Sequence, residues 1–163
     1  MLEEFSRIWL HRFNEVMGTK MRDRKLNSVV VVDDDLVYLQ TVGLMLKKIG
    51  FDHVKMFSNA CDALDWLSGN KPNLIVSDWD MPLLTGHEFL EEVRANPKIS
   101  EIPFILNTGN LSESYWSQAI ASGVTEFLFK PFNFSEFKDS VFIALDLAEF
   151  ESETSTENKK IAC

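Results

Sequence analysis

Three consecutive acids, Asp33, Asp34 and Asp35, follow a run of valines, and a second pair, Asp78 and Asp80, brackets Trp79 after LIVS. Thr108 closes PFILNT, and Lys130 stands between FLF and Pro131. Carboxylates brought close together raise one another's cost of ionisation, so such a group calls for a cation. With only oxygen donors on offer, Mg²⁺ is the fitting ion, and Mn²⁺ can use the same ligands. An aspartate in that setting can attack phosphorus and form an acyl phosphate. A lysine ammonium and a threonine hydroxyl beside it would stabilise charge on a transferring phosphoryl group. Taken singly, each residue has an ordinary reading: a solvated acidic turn, a helix cap at Asp78, a strand end at Thr108, a surface charge at Lys130. Only their meeting in space would make a site.

The elements between them supply that meeting. SVVVVD is a continuous β-branched run, which suits a strand buried on both faces of a parallel sheet. Val37, Leu39, Val42, Leu44, Met45, Leu46 and Ile49 follow at helical spacing, and Gly50 ends the helix. HVKMF reads as a short strand; Ser58 is expected to cap a helix through Ala60, Ala63, Leu64 and Leu67. NLIVS, IPFILN and VTEFLF are three more strands, separated by helices over about 87–95 and 113–122, with a last helix through Phe134, Phe137, Val141, Phe142 and Leu145. Strands alternating with helices predict a doubly wound α/β fold, its sheet mostly parallel and covered by helices on both faces. In such sheets ligands sit outside the carboxyl ends of the strands, where all the acids, Thr108 and Lys130 fall.

Composition bounds the rest. The chain has 163 residues, 45% of them hydrophobic, with a net charge of −9. That acidity argues against direct nucleic-acid binding, which runs on phosphate neutralisation by Lys and Arg. No apolar run approaches the roughly 20 residues of a membrane span. The start lacks a secretory pattern, and Cys61 and Cys163 are too few for a disulfide framework, so a cytoplasmic location is expected. Cys61 is expected to pack within its helix, and His11, His53 and His87 to be structural or surface residues. Residues 1–28 carry six basic side chains against four acids, a local charge of +2 that leaves −11 for the remainder. The division is therefore 1–27 as an amphipathic helix and linker, 28–150 as the main domain, and 151–163 as a polar, disordered tail. The leader's apolar face, Phe5, Ile8, Trp9, Phe13, Val16 and Met17, has three readings: folded back on the domain, a homodimer or partner contact anchored by Trp9, or a stretch ahead of an alternative start at Met21.

VVVVDDD, LIVSDWDMPLLTG, PFILNTG and FLFKP, in that order on alternate elements, resemble the receiver domain of bacterial response regulators over about Ser28 to Phe150. The resemblance implies a flavodoxin-like five-stranded sheet of order 2-1-3-4-5 with five helices. It also implies that Asp78 is the phosphoacceptor and Asp34 a direct Mg²⁺ ligand, with Asp33 acting through water and Asp78 and the backbone carbonyl of Asp80 completing the set. Lys130 and Thr108 would contact the phosphoryl group, and Thr108 with Phe127 would form the switch, the ring turning inward. Asp80 and Asn110 would tune dephosphorylation. The implied donor is a histidine kinase or histidine phosphotransfer protein. With no output domain expected to follow, the implied output is either a protein contact on the face of the fourth helix, fifth strand and fifth helix, or a phosphorelay step that passes the phosphate on. Phe127 departs from some relatives in lacking the hydroxyl of a tyrosine, while Gly109 stands where a small residue is usual, which suits a phosphoryl group coming close to the backbone. Two rivals are weighed against this. A haloacid-dehalogenase-like phosphohydrolase would use Asp78 and Asp80 as its DxD, but its DxD normally ends the first strand of the core. A docking module that is never phosphorylated would not need the full set of side chains.

Overall fold

The computed structural model describes residues 26–109 and 112–145. The leader helix, the polar tail and Asn110 therefore lie outside the described residues. Five strands, β1 (Ser28–Val32), β2 (His53–Phe57), β3 (Leu74–Asp78), β4 (Phe104–Thr108) and β5 (Glu126–Phe129), form one parallel sheet. Their order is β2-β1-β3-β4-β5, as expected from the resemblance. Between them run α1 (Leu36–Ile49), α2 (Ala60–Leu67), α3 (Gly86–Ala95) and α4 (Glu113–Ala121). A fifth helix, α5, covers residues 134–145, where the described residues end. None of the described helices is long and apolar enough to cross a membrane.

Strand periodicity explains the two cores. Val30 and Val32 of β1, Ile75 of β3 and Phe104 and Leu106 of β4 point to one face and pack under α2, α3 and α4 through Ala63, Phe89, Leu90, Val93 and Ala119. The alternate residues Val29, Val31, Leu74, Val76 and Ile105 point to the other face, under Leu39, Val42 and Leu46 of α1 and Phe137, Val141 and Ala144 of α5. Because β1, β3 and β4 are covered on both sides, they read as unbroken apolar runs, while the edge strand β2 is largely exposed. Removing a Val or Leu side chain from water in these layers stabilises by about 1.5–3 kcal/mol each. The strands thus anchor the polar residues at their carboxyl ends.

Each helix starts on a side chain that accepts from its orphan amides. Asp35 accepts from the N–H groups of Val37 and Tyr38, so one of the three consecutive acids is a helix cap. Asn59, not Ser58, caps α2, accepting from the N–H of Asp62 at 2.9 Å. Its extended backbone lets the short amide reach back; Ser58 lies one residue too early. Thr85 and Glu88 form a reciprocal capping box on α3. Asn133 and Glu136 exchange similar bonds at the start of α5. At α1's far end Gly50 takes φ 122°, a backbone that L side chains resist. Arg94 clamps α3 to the loops that lead into β4 and β5, donating to the carbonyls of Ser100, Ile102 and Gly123. Cys61, expected to pack, is exposed, because the buried stripe of α2 runs through Ala60, Ala63 and Leu67.

Two measurements test this frame. Gly86 donates to the Trp79 carbonyl at 2.8 Å, and a Cβ at 86 would collide with the backbone carbonyl oxygen of Asp78. Gly86→Ala is expected to lower stability by about 1–3 kcal/mol in urea denaturation followed by circular dichroism. Glu126 on β5 is half-buried, and burial raises its carboxyl above the ordinary value, offset in part by the Phe127 N–H that donates to it. A raised carboxyl favours the fold below the unfolded value and loses that advantage as pH rises through the folded one. Glu126→Gln should therefore stabilise the protein near pH 7.5, with the gain vanishing towards pH 4.

Candidate functional site

The parallel register brings the carboxyl ends of four strands to one edge. Val32 pairs with Ser77, Asp78 with Asn107 and Thr108 with Phe129, so Asp33, Asp78, Thr108 and Lys130 come within neighbouring positions although far apart in sequence. β3 extends one residue beyond the LIVS expected from sequence and carries Asp78 as its last member. Asp33 and Asp78 are 2% and 7% exposed, whereas Asp34 and Asp80 face solvent. One oxygen from each of Asp33, Asp34 and Asp78 can be chosen so that all lie within 4.8 Å of one another.

Lys130 joins this group from β5. Its Nζ lies 2.6 Å from Asp78 Oδ1 and 2.9 Å from Asp33 Oδ2. The other Asp33 oxygen accepts from the Asp35 N–H, and the Asp33 N–H donates to the Phe57 carbonyl on β2. The Lys130 N–H donates to the Thr108 carbonyl, and the Lys130–Pro131 peptide bond is cis. Thr108 itself is buried at 1% exposure. Burial pushes the Asp78 carboxyl above its ordinary value; Lys130 pulls it back in part, and Asp33 and Asp80 push it further up. Burial works against the Lys130 ammonium, but Asp78 and Asp33 outweigh it and raise its value. Three carboxylates against one ammonium leave two negative charges, which fits a divalent cation with oxygen ligands.

The expected site residues are thus brought together, with two qualifications. Asn110 lies outside the described residues. Phe127 is already inward at 8% exposure, packed between Trp79 and Trp116 at ring-centroid distances of 6.3 and 4.9 Å. The ring thus faces inward in this structure. Asp80 accepts weakly from the Tyr115 hydroxyl at 3.5 Å.

Several neighbours had no signal in the sequence. Trp79 is sandwiched between His87 of α3, 5.3 Å away, and Tyr115 of α4, 4.5 Å away. His87 also bonds Ser122 Oγ at 2.8 Å. Tyr38 of α1 places its ring 3.9 Å from Lys130 Nζ. None of these residues shares a motif with its partner, and only the packing of α1, α3 and α4 reveals them.

Comparison with known proteins agrees with this geometry. The description of the response regulator receiver domain matches residues 29–142. Response regulator Rre1 of Synechocystis is 28% identical over 134 residues, 82% of this chain and 58% of that protein. The chemotaxis protein CheY of Pseudomonas aeruginosa is 26% identical over 114 residues, 70% of this chain and 92% of CheY. Among solved structures, the chemotaxis response regulator CheY4 of Vibrio cholerae superposes with a TM-score of 0.69 at 28% identity, covering 74% of this chain and 99% of that one. The family match extends from β1 into α5 and includes every strand end described above, so the chain belongs to the response regulator receiver domain family.

Proposed function

We propose that this receiver accepts a phosphoryl group on Asp78 from a phosphohistidine of a histidine kinase or histidine phosphotransfer protein in the cytoplasm, with Mg²⁺ bound. The phosphorylated form then signals by binding another protein or passes the group on. The observation that carries this reading is the Lys130 ammonium, 2.6 Å from one oxygen of a buried aspartate that belongs to a three-carboxylate cluster. In the transfer, an Asp78 carboxylate oxygen attacks phosphorus in line and the P–N bond to the donor imidazole breaks. The nitrogen keeps the bonding pair, and an acyl phosphate remains. Asp33, Asp34, Asp78 and the backbone carbonyl of Asp80 would hold Mg²⁺, which neutralises charge on the phosphoryl oxygens when bound.

Lys130 is already at the acceptor and pairs with a phosphoryl oxygen, while the Thr108 hydroxyl donates to another. Thr108 and Phe127 then bias the face of α4, β5 and α5, where Trp116, Ile120 and Phe129 expose apolar surface. The chain acts as a phosphoacceptor that turns over its own phosphate slowly, not as an enzyme for added esters. The family match favours this reading over that of Asp78 and Asp80 as the motif of a phosphohydrolase.

Incubation with acetyl phosphate and Mg²⁺ should add one phosphoryl group by intact mass. The gain should vanish in Asp78→Asn or when the metal is chelated. Continuous phosphate release from many esters, or no gain while Mg²⁺ binds, would sink the reading. Asp80→Asn and Asn110→Ala are each expected to change the dephosphorylation rate several-fold with phosphorylation little altered, measured as decay of the phosphorylated mass after donor removal. Equal decay in wild type and both variants would refute that role.

A further inference from the structure

We propose that Tyr38 is a positioning residue for Lys130, its ring holding the ammonium where Asp78 takes up the phosphoryl group. This inference rests on the function proposed above. Tyr38 lies in the first turn of α1, and its N–H donates to Asp35, the capping acid next to Asp34. Its backbone is therefore tied to the loop that supplies the carboxylates. The ring face stands 3.9 Å from Lys130 Nζ, close enough for a cation–π contact. Phe132 then braces Tyr38 edge-on at 5.5 Å and stacks on Phe137, which is fully buried in α5. The ring is thus fixed from behind by the core beneath the ammonium.

The reaction makes such a contact useful. Lysine has a flexible four-carbon stem, and its two ionic partners here are Asp33 and Asp78. Phosphorylation consumes an Asp78 oxygen, and a bound cation competes for both carboxylates. The ring carries no charge and forms no bond to metal or phosphorus, so it is the partner that stays the same before and after transfer. Burial, then the charges of Asp33 and Asp78, hold the phenol well above its ordinary value, so Tyr38 stays neutral. Its hydroxyl is buried without a hydrogen-bond partner among the described residues, and so the ring, not the hydroxyl, is the part seen in contact.

The test uses the full chain with Tyr38→Phe and Tyr38→Met, and Tyr38→Leu should the Met variant alter the circular dichroism. Three quantities are read: the Lys130 ε-methylene proton shifts by NMR, Mg²⁺ affinity by Trp79 fluorescence, and the phosphorylation rate with acetyl phosphate by intact mass. The ring current should hold the Lys130 resonances upfield in wild type and Tyr38→Phe and release them in Tyr38→Met. Phosphorylation should stay within about twofold in Tyr38→Phe and fall about tenfold in Tyr38→Met, with Mg²⁺ affinity within about threefold. Wild-type rates in Tyr38→Met overturn the proposal while leaving Asp78 phosphorylation intact. An equal loss in Tyr38→Phe overturns it too, because the hydroxyl would then be responsible. If wild type takes up no phosphoryl group although the Lys130 shift depends on the ring, the receiver function fails and the positioning role falls with it, leaving only a packing contact.

Discussion

Two buried aspartates and a third exposed one, gathered at the ends of β1 and β3 so that an oxygen of each lies within 4.8 Å of the others, set the terms for everything near the sheet edge. Carboxylates so placed repel, and burial raises the cost of their charge. Lys130 relieves part of that cost by touching both buried acids. It can do so only because β5 lies two strands from β3 in a parallel sheet, ending at the same edge. A buried ion pair of this kind is weak support for stability, since desolvation offsets much of the attraction. The valine, leucine and phenylalanine layers above and below the sheet supply the stability, and the polar cluster is what they hold in place.

The same edge is joined to the outer helices by aromatic rings. Trp79 follows Asp78 directly and is clamped between rings from α3 and α4. Trp116 covers Phe127 and reaches Phe129, 6.0 Å away, so rings on α4 and β5 continue the contact outward. Stacked ring contacts of this sort add about 0.5–1.5 kcal/mol each beyond buried area. They link the end of β3 to an exposed surface through packed rings. Phe127 lies inward under Trp116, at the centre of this run of rings.

Local conflict also concentrates here. Leu83, in the loop after Asp80, has φ 71° and is 91% exposed. A branched side chain in the left-handed region costs about 1–2 kcal/mol, and Leu83 recovers little by burial. Gly86 three residues later is required by its close approach to Asp78. The loop joining β3 to α3 is thus shaped by the Asp78 backbone more than by local preference.

Much of this was legible from residue order alone. Unbroken apolar runs at Val29–Val32 and Leu74–Val76 identify strands covered on both faces, and that class of fold sends strand ends to one edge. Asp33, Asp78, Thr108 and Lys130 were therefore placed together by topology, and the family resemblance gave them roles. Asn59 displaced Ser58 as a cap because a one-residue offset depends on backbone direction, which periodicity does not resolve. The exposure of Cys61 was misjudged for a related reason: a helix of eight residues leaves its buried stripe ambiguous by one position. Tyr38, His87, Tyr115 and Trp116 carried no motif, because their partners are distant in the chain and aromatic packing leaves no fixed spacing. Sequence by itself determined which residues are acidic, which strands are buried and in what order they come, since these follow from local chemistry and period. Tertiary structure alone decided that Lys130 reaches both acids, that Tyr38 lies against it and that Phe127 is inward, since each depends on how separate helices settle on the sheet.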